Sequence, residues 1–98
     1  MLNVSDIMYC LADGSYTHIH VRGQAKQTAS KNLKHYERLL NDYGFIRSHP
    51  SSLINPKYIR SIERLNGGNV IMDDSEILPI SKTKRLELEE MIRNNHRL

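Results

Sequence analysis

The sequence is poor in the features that mark several large protein classes. It has a single cysteine, Cys10, so no internal disulfide can form. That residue sits in an apolar run, where a buried free thiol is common. No apolar run approaches the ~20 residues that a membrane span needs. The opening residues, Met1-Leu2-Asn3-Val4-Ser5-Asp6, lack the basic and apolar regions of a signal peptide. A reducing, cytoplasmic setting is therefore expected, with no membrane partner. Glycine-flanked nucleophile elbows, P-loops and dinucleotide fingerprints are missing too, which removes the common nucleotide and hydrolase motifs and implies no cofactor. There is no internal repeat, low-complexity tract or interdomain linker, so residues 1–98 are expected to form one domain.

What is present suits a small globular protein. Apolar residues make up 39% and charged ones 26%, enough to support a modest core and too apolar for disorder. Lysine and arginine outnumber acids 14 to 11, a formal net charge of +3. That excess permits a polyanionic partner without demanding one, so the positions of the cations matter more than their number.

Short apolar runs alternate with turn signals. Ile7 to Leu11 ends at Asp13-Gly14. In the following run, period two puts Thr17, Ile19 and Val21 on one face and Tyr16, His18 and His20 on the other. Ala25 to Ala29 reads as a third strand. Ser30 is expected to cap a helix reaching Asn41, with Leu33, Tyr36, Leu39 and Leu40 as its apolar stripe and Tyr43-Gly44 as its end. Three further strand candidates follow, "YIRSIERL", "NVIMD" and "EILPI", separated by Asn66-Gly67-Gly68 and Asp73-Asp74-Ser75. Pro79 cannot donate a ladder hydrogen bond, which suits a sheet edge or a strand end. Ser81 then caps a final helix anchored by Leu86, Met91 and Ile92. The expected fold is mainly β with two short helices.

Three polar clusters stand out. The first is the turn from Ser15 to His18. The second is the stretch "FIRSHPSSLINPKYI", Phe45 to Ile59, which carries Arg47, His49, Ser51 and Ser52. Its apolar members, Phe45, Ile46, Leu53, Ile54 and Ile59, read as core. Asn55 before Pro56 reads as an internally bonded turn residue. The third is the start of the final helix, where Lys82, Lys84 and Arg85 stand beside free amides and the positive end of the dipole. Stability alone would place acids there; cations suit an incoming phosphate. Arg47 with Lys82, Lys84 and Arg85 would neutralise phosphates, and Thr17, His18 and His49 would read base edges. Ser51 or Ser52 could bind phosphate or serve the loop itself. The five histidines show no recognised metal-ligand spacing, and serine next to histidine in sequence does not make a catalytic triad, so neither a metal nor an enzyme is expected.

The order of these pieces resembles the LytTR family of bacterial DNA-binding domains. The likeness runs from about Asp6 to Ile92 and centres on Phe45, Arg47, His49, Ser51, Leu53, Ile54 and Asn55. Ala12 to Tyr16 and Pro79 to Lys82 support it. The resemblance implies a domain of layered β-sheets that binds double-stranded DNA through loops, as a homodimer on paired repeat sites. Such domains usually form the output end of two-component response regulators, behind a receiver. A chain of this length has no room for a receiver, so an excised domain or a stand-alone relative is expected. The family pattern makes Arg47 or His49 a DNA-facing residue. Two positions depart from it: Pro50 stands where a polar or basic residue is frequent, and Lys82 where arginine is common, giving a point charge in place of a bidentate fork. The alternative is a protein-interaction module of the same fold docking an acidic partner, with a small hydrolase using His49 and Ser51 behind it.

Overall fold

The computed structural model describes residues 2–65 and 67–95. Asn66, in one expected turn, and His96, at the end of the expected final helix, lie outside them.

Two strands, β1 (Ile7–Asp13) and β2 (Tyr16–Val21), form an antiparallel hairpin closed by the pair Asp13 and Tyr16. Gly14 has φ of 59° in this turn, a left-handed conformation that glycine adopts without a Cβ penalty. Three-residue β3 (Gln27–Ala29) lies along β2. On the other edge of β1 comes β5 (Ser52–Ile54), flanked by β4 (Ile46–His49), so the sheet order is β3-β2-β1-β5-β4. A second antiparallel sheet contains β6 (Ile59–Glu63), β7 (Asn69–Met72) and β8 (Ile77–Pro79) in that order. Pro79 ends the edge strand β8, as its missing N–H requires.

The five-stranded sheet is the middle layer. On one side, α1 (Leu33–Leu40) covers it through Leu33 and Leu40, which pack with Cys10, Ile19, Val21 and Leu53. On the other, Tyr9 and Ile54 pack with Val70, Met72 and Leu78 of the small sheet and Leu88 of α2 (Lys82–Asn95). Neighbouring residues of β1 and β5 thus feed opposite cores: Tyr9 and Cys10 part ways, as do Leu53 and Ile54. This explains why these segments read as continuous apolar runs rather than alternating ones. Each buried leucine or isoleucine among them, such as Leu53 and Ile54, contributes roughly 1.5–3 kcal/mol.

Polar ties join the layers. The Tyr9 hydroxyl donates to Asp74 in the β7–β8 turn at 2.7 Å. Burial, then the nearby Asp74 carboxylate, push its pKa up, so it remains a donor. His20 stacks on the Tyr9 ring at 4.4 Å, and burial lowers the pKa of that imidazole. Asn55 is 7% exposed; its side chain accepts from the Lys57 N–H at 3.1 Å and donates to the Ile7 carbonyl at 3.0 Å. The expectation of an internally bonded turn amide is met.

Several expected details differ. The α1 cap is Asn32, whose side chain accepts from His35 N–H at 3.0 Å, and not Ser30. The Thr17 hydroxyl donates to the Lys31 carbonyl at 2.9 Å, which holds the chain extended past Ser30 and delays the helix. Leu39 falls outside the buried stripe and is 56% exposed. The Phe45–Ile59 stretch contains two strands, β4 and β5, and not a loop alone; β5 is an interior strand between β1 and β4. In α2 the fully buried anchor is Leu88, while Leu86 faces outward. Leu88 and Ile92 are four apart and share the inward face.

Two outcomes follow from this packing. Asn55→Ala strands the Ile7 carbonyl in the interior and should cost about 1–3 kcal/mol, seen as a lower urea midpoint at unchanged slope. A variant as stable as the parent would show that this amide contributes nothing. Burial also raises the Cys10 thiol to a pKa of about 12. Cys10 should therefore resist thiol reagents at neutral pH until the protein is denatured. Rapid labelling of the native protein would place the thiol at the surface.

Candidate nucleic-acid interface

The main chain brings the three polar clusters to one end of the five-stranded sheet. Leu11 pairs with Ser52, and the Ala12 N–H donates to the Ser51 carbonyl at 2.9 Å, so the β1–β2 turn lies beside the β4–β5 turn. The Ser81 N–H donates to the Ser48 carbonyl at 3.0 Å, which fastens the start of α2 to β4 next to His49. Ser81 also caps α2: its hydroxyl accepts from the Lys84 N–H at 3.3 Å. The first turn of this helix contains no acid.

Within this rim the side chains divide sharply. Ser15 is exposed on the β1–β2 turn. Thr17 is fully buried, and its hydroxyl is committed to Lys31; expected as a base reader, it is a structural residue instead. The alternation that set Thr17 beside Ile19 and Val21 already pointed inward. His18 is held at both ring nitrogens, with Nε2 2.8 Å from Asp13 Oδ2 and Nδ1 2.9 Å from Thr28 Oγ1. It braces the hairpin against β3, and reading a base would break one of these bonds.

Arg47 also departs from expectation. Its Nη1 donates to Glu37 of α1 at 2.7 Å, its Nε to the His49 carbonyl at 3.2 Å and its Nη2 to the Pro50 carbonyl at 2.5 Å. With a carboxylate beside it and each nitrogen engaged, Arg47 is tied into the protein and does not stand free for a phosphate as expected. His49 keeps more freedom. Its Nδ1 accepts from the Ser51 N–H at 3.2 Å and lies 2.9 Å from the Ser51 hydroxyl. In neutral imidazole that assigns the proton to Nε2, which has no partner among the described residues. Ser51 thereby serves the loop, and Ser52 is buried.

The cations of α2 divide as well. Lys82 is exposed and makes no ion pair among the described residues. Lys84 lies 3.4 Å from Glu87, with both side chains well exposed, so this pair is weak. Arg85 was expected among the phosphate binders, yet its side chain is only 16% exposed and its Nε lies 3.6 Å from Glu89. Arg85, Leu88 and Ile92 stand at i, i+3 and i+7 and share the inward stripe, which explains the burial. The Arg85 stem runs close to Gly68, where an added Cβ would sit 3.7 Å from Cδ.

One residue of this rim carried no functional expectation. Tyr16 is 51% exposed and closes the hairpin opposite Asp13. The signal was an aromatic on the outward face directly after an Asp-Gly-Ser turn. No group of three or more metal-ligating side chains occurs among the described residues. No helix among them is long and apolar enough to cross a membrane.

Comparison with known proteins agrees with the fold. The model of the LytTr DNA-binding domain family matches residues 1–93. The sensory transduction protein LytT of Bacillus subtilis (strain 168) is 29% identical over 94 residues, covering 94% of this chain and 39% of that protein. The chain thus spans about two fifths of the length of this curated relative. Among solved structures, the LytTr DNA-binding domain of a putative methyl-accepting/DNA response regulator from Bacillus cereus is similar with a TM-score of 0.77 at 25% identity. That likeness covers 93% of this chain and 84% of the other. With a layered β fold and a family match over nearly its whole length, this chain belongs to the LytTr family of DNA-binding domains.

Proposed function

We propose that the rim formed by the β1–β2 turn, the β4–β5 turn and the start of α2 binds double-stranded DNA sequence-specifically to regulate transcription. The observation that carries this reading is the pair of main-chain bonds, Ala12 to Ser51 and Ser81 to Ser48, that sets the three segments side by side. Strands in a sheet lie ~4.8 Å apart, so the two hairpin turns are centred roughly 10 Å from each other. That span suits a major groove about 12 Å wide. Lys82 and Lys84 take phosphates, helped by the amides and dipole of α2. His49 offers Nε2–H to an acceptor on a base edge, and Ser15 and Tyr16 add hydroxyls beside it. Arg47, Thr17 and Arg85 support this surface from within.

In the whole protein this domain is the output end of a two-component response regulator in the cytoplasm, bound as a homodimer to paired repeats. The names of the two relatives, a sensory transduction protein and a response regulator, support that setting. The bonds between His49 and Ser51, which shape the turn, support a role in that turn over a catalytic one.

The test uses a duplex enriched from a random pool by the wild-type protein, beside a random duplex of equal length. Lys84→Gln should weaken binding to both and flatten the plot of log affinity against log salt by about 0.9. His49→Ala should cost roughly 1–3 kcal/mol on the enriched duplex alone and leave that slope unchanged. Equal losses on both duplexes for both variants would remove the division between phosphate and base contacts. No loss from either would place the DNA-binding face elsewhere, and the rim would then fit docking of an acidic protein.

A further inference from the structure

Arg47 lies at the DNA-facing rim, yet it spends all three guanidinium nitrogens on the protein. The reason lies in the strand it belongs to. Arg47 pairs with Leu53 and His49 with Ser52, so Ser48 is an extra residue and β4 carries a bulge. Bulges re-aim the side chains that follow them and leave backbone groups outside the ladder. Here the carbonyls of His49 and Pro50 both turn to the Arg47 fork. The other end of that fork is held by Glu37, in a helix on the opposite side of the sheet from α2. The turn that presents His49 is thereby shaped by a carboxylate on α1.

We infer that Arg47 and Glu37 are positioning residues for sequence reading: their ion pair clamps the bulged β4–β5 turn so that His49 meets a base edge, and neither touches DNA. The clamp rests on the reading of this rim as the DNA face. It gives α1 a part in specificity at a distance. Only a planar fork can hold the carboxylate and two carbonyls together, so lysine at position 47 keeps the charge but loses the clamp. The Glu37–Arg47 pair is partly exposed, at 39% and 26%, and such pairs add little to global stability. Its removal should leave the fold intact.

Two measurements test the clamp, one without DNA. The Ser51 amide donates to His49 Nδ1, so its hydrogen exchange reports on the turn. Glu37→Gln should speed that exchange by about tenfold while β1 amides stay protected. Unchanged Ser51 exchange would overturn the clamp whatever the DNA results. On DNA, Glu37→Gln should weaken binding to the enriched duplex by about tenfold. Its binding to random duplex should stay equal or tighten, because a negative charge has been removed. Arg47→Lys should behave the same way on the enriched duplex. In a His49→Ala background neither change should cost anything further, since the clamp acts through that ring. Losses that multiply with His49→Ala would overturn the inference. So would an Arg47→Gln variant that weakens both duplexes equally and flattens the salt dependence, for Arg47 would then touch phosphate. If His49→Ala alone has no effect while Ser51 exchange responds as expected, the clamp stands as the shaper of the turn but its role in sequence reading is overturned.

Discussion

Adjacent residues of a β-strand must point to opposite faces, and in β1 and β5 both faces lead into a core. Tyr9 and Ile54 enter one, Cys10 and Leu53 the other. A slip of one residue in either strand would exchange every side chain between the two cores, so the register is pinned from both sides. Everything at the rim inherits that precision. The pairing of Leu11 with Ser52 decides which residues stand in the β4–β5 turn, and the Ser48 bulge then decides where His49 and Ser81 sit.

The rim shows how a modest positive charge can be concentrated by choosing which cations stay free. Arg47 is neutralised by Glu37, and Arg85 lies close to Glu89. Lys82 and Lys84 stand at a helix start without an acid in its first turn. The stability forgone there is only about 0.3–1 kcal/mol per charge, small beside the burial of a single core leucine. Arginine therefore serves as internal scaffolding, where its planar fork can bridge several acceptors. Lysine, a compact charge on a flexible stem, stands at the acid-free helix start instead.

Much of the fold was legible in local pattern. The β1–β2 hairpin, the small sheet and both helices follow from period and turn residues, and the start of α2 from its cap, Ser81. Thr17 shows where the reading contradicted itself: the alternation put it with Ile19 and Val21, while its hydroxyl suggested a polar contact, and the core prevailed. Arg85 was legible in the same way, since its spacing from Leu88 and Ile92 marks the inward face, but the choice of Leu86 as an anchor concealed it. The α1 cap was missed because the competing tie, from Thr17 to the Lys31 carbonyl, comes from a strand far away in sequence.

By itself the sequence determined the class of fold, the turns, the apolar runs of β1, β2 and β5 and, through the spaced motifs around Phe45 to Asn55, the kinship with DNA-binding domains. These depend on periodicity and on the chemistry of near neighbours, which a linear string records. Tertiary structure alone decided which polar side chains remain available. Arg47, His49 and Ser51 lie within five residues of one another and look equally fit for DNA. What separates them is a carboxylate on α1, a bulge set by pairing with β5, and a backbone amide aimed at one imidazole nitrogen. A hydrogen-bonding group can satisfy only so many partners, and long-range packing determines whether those partners are protein or DNA.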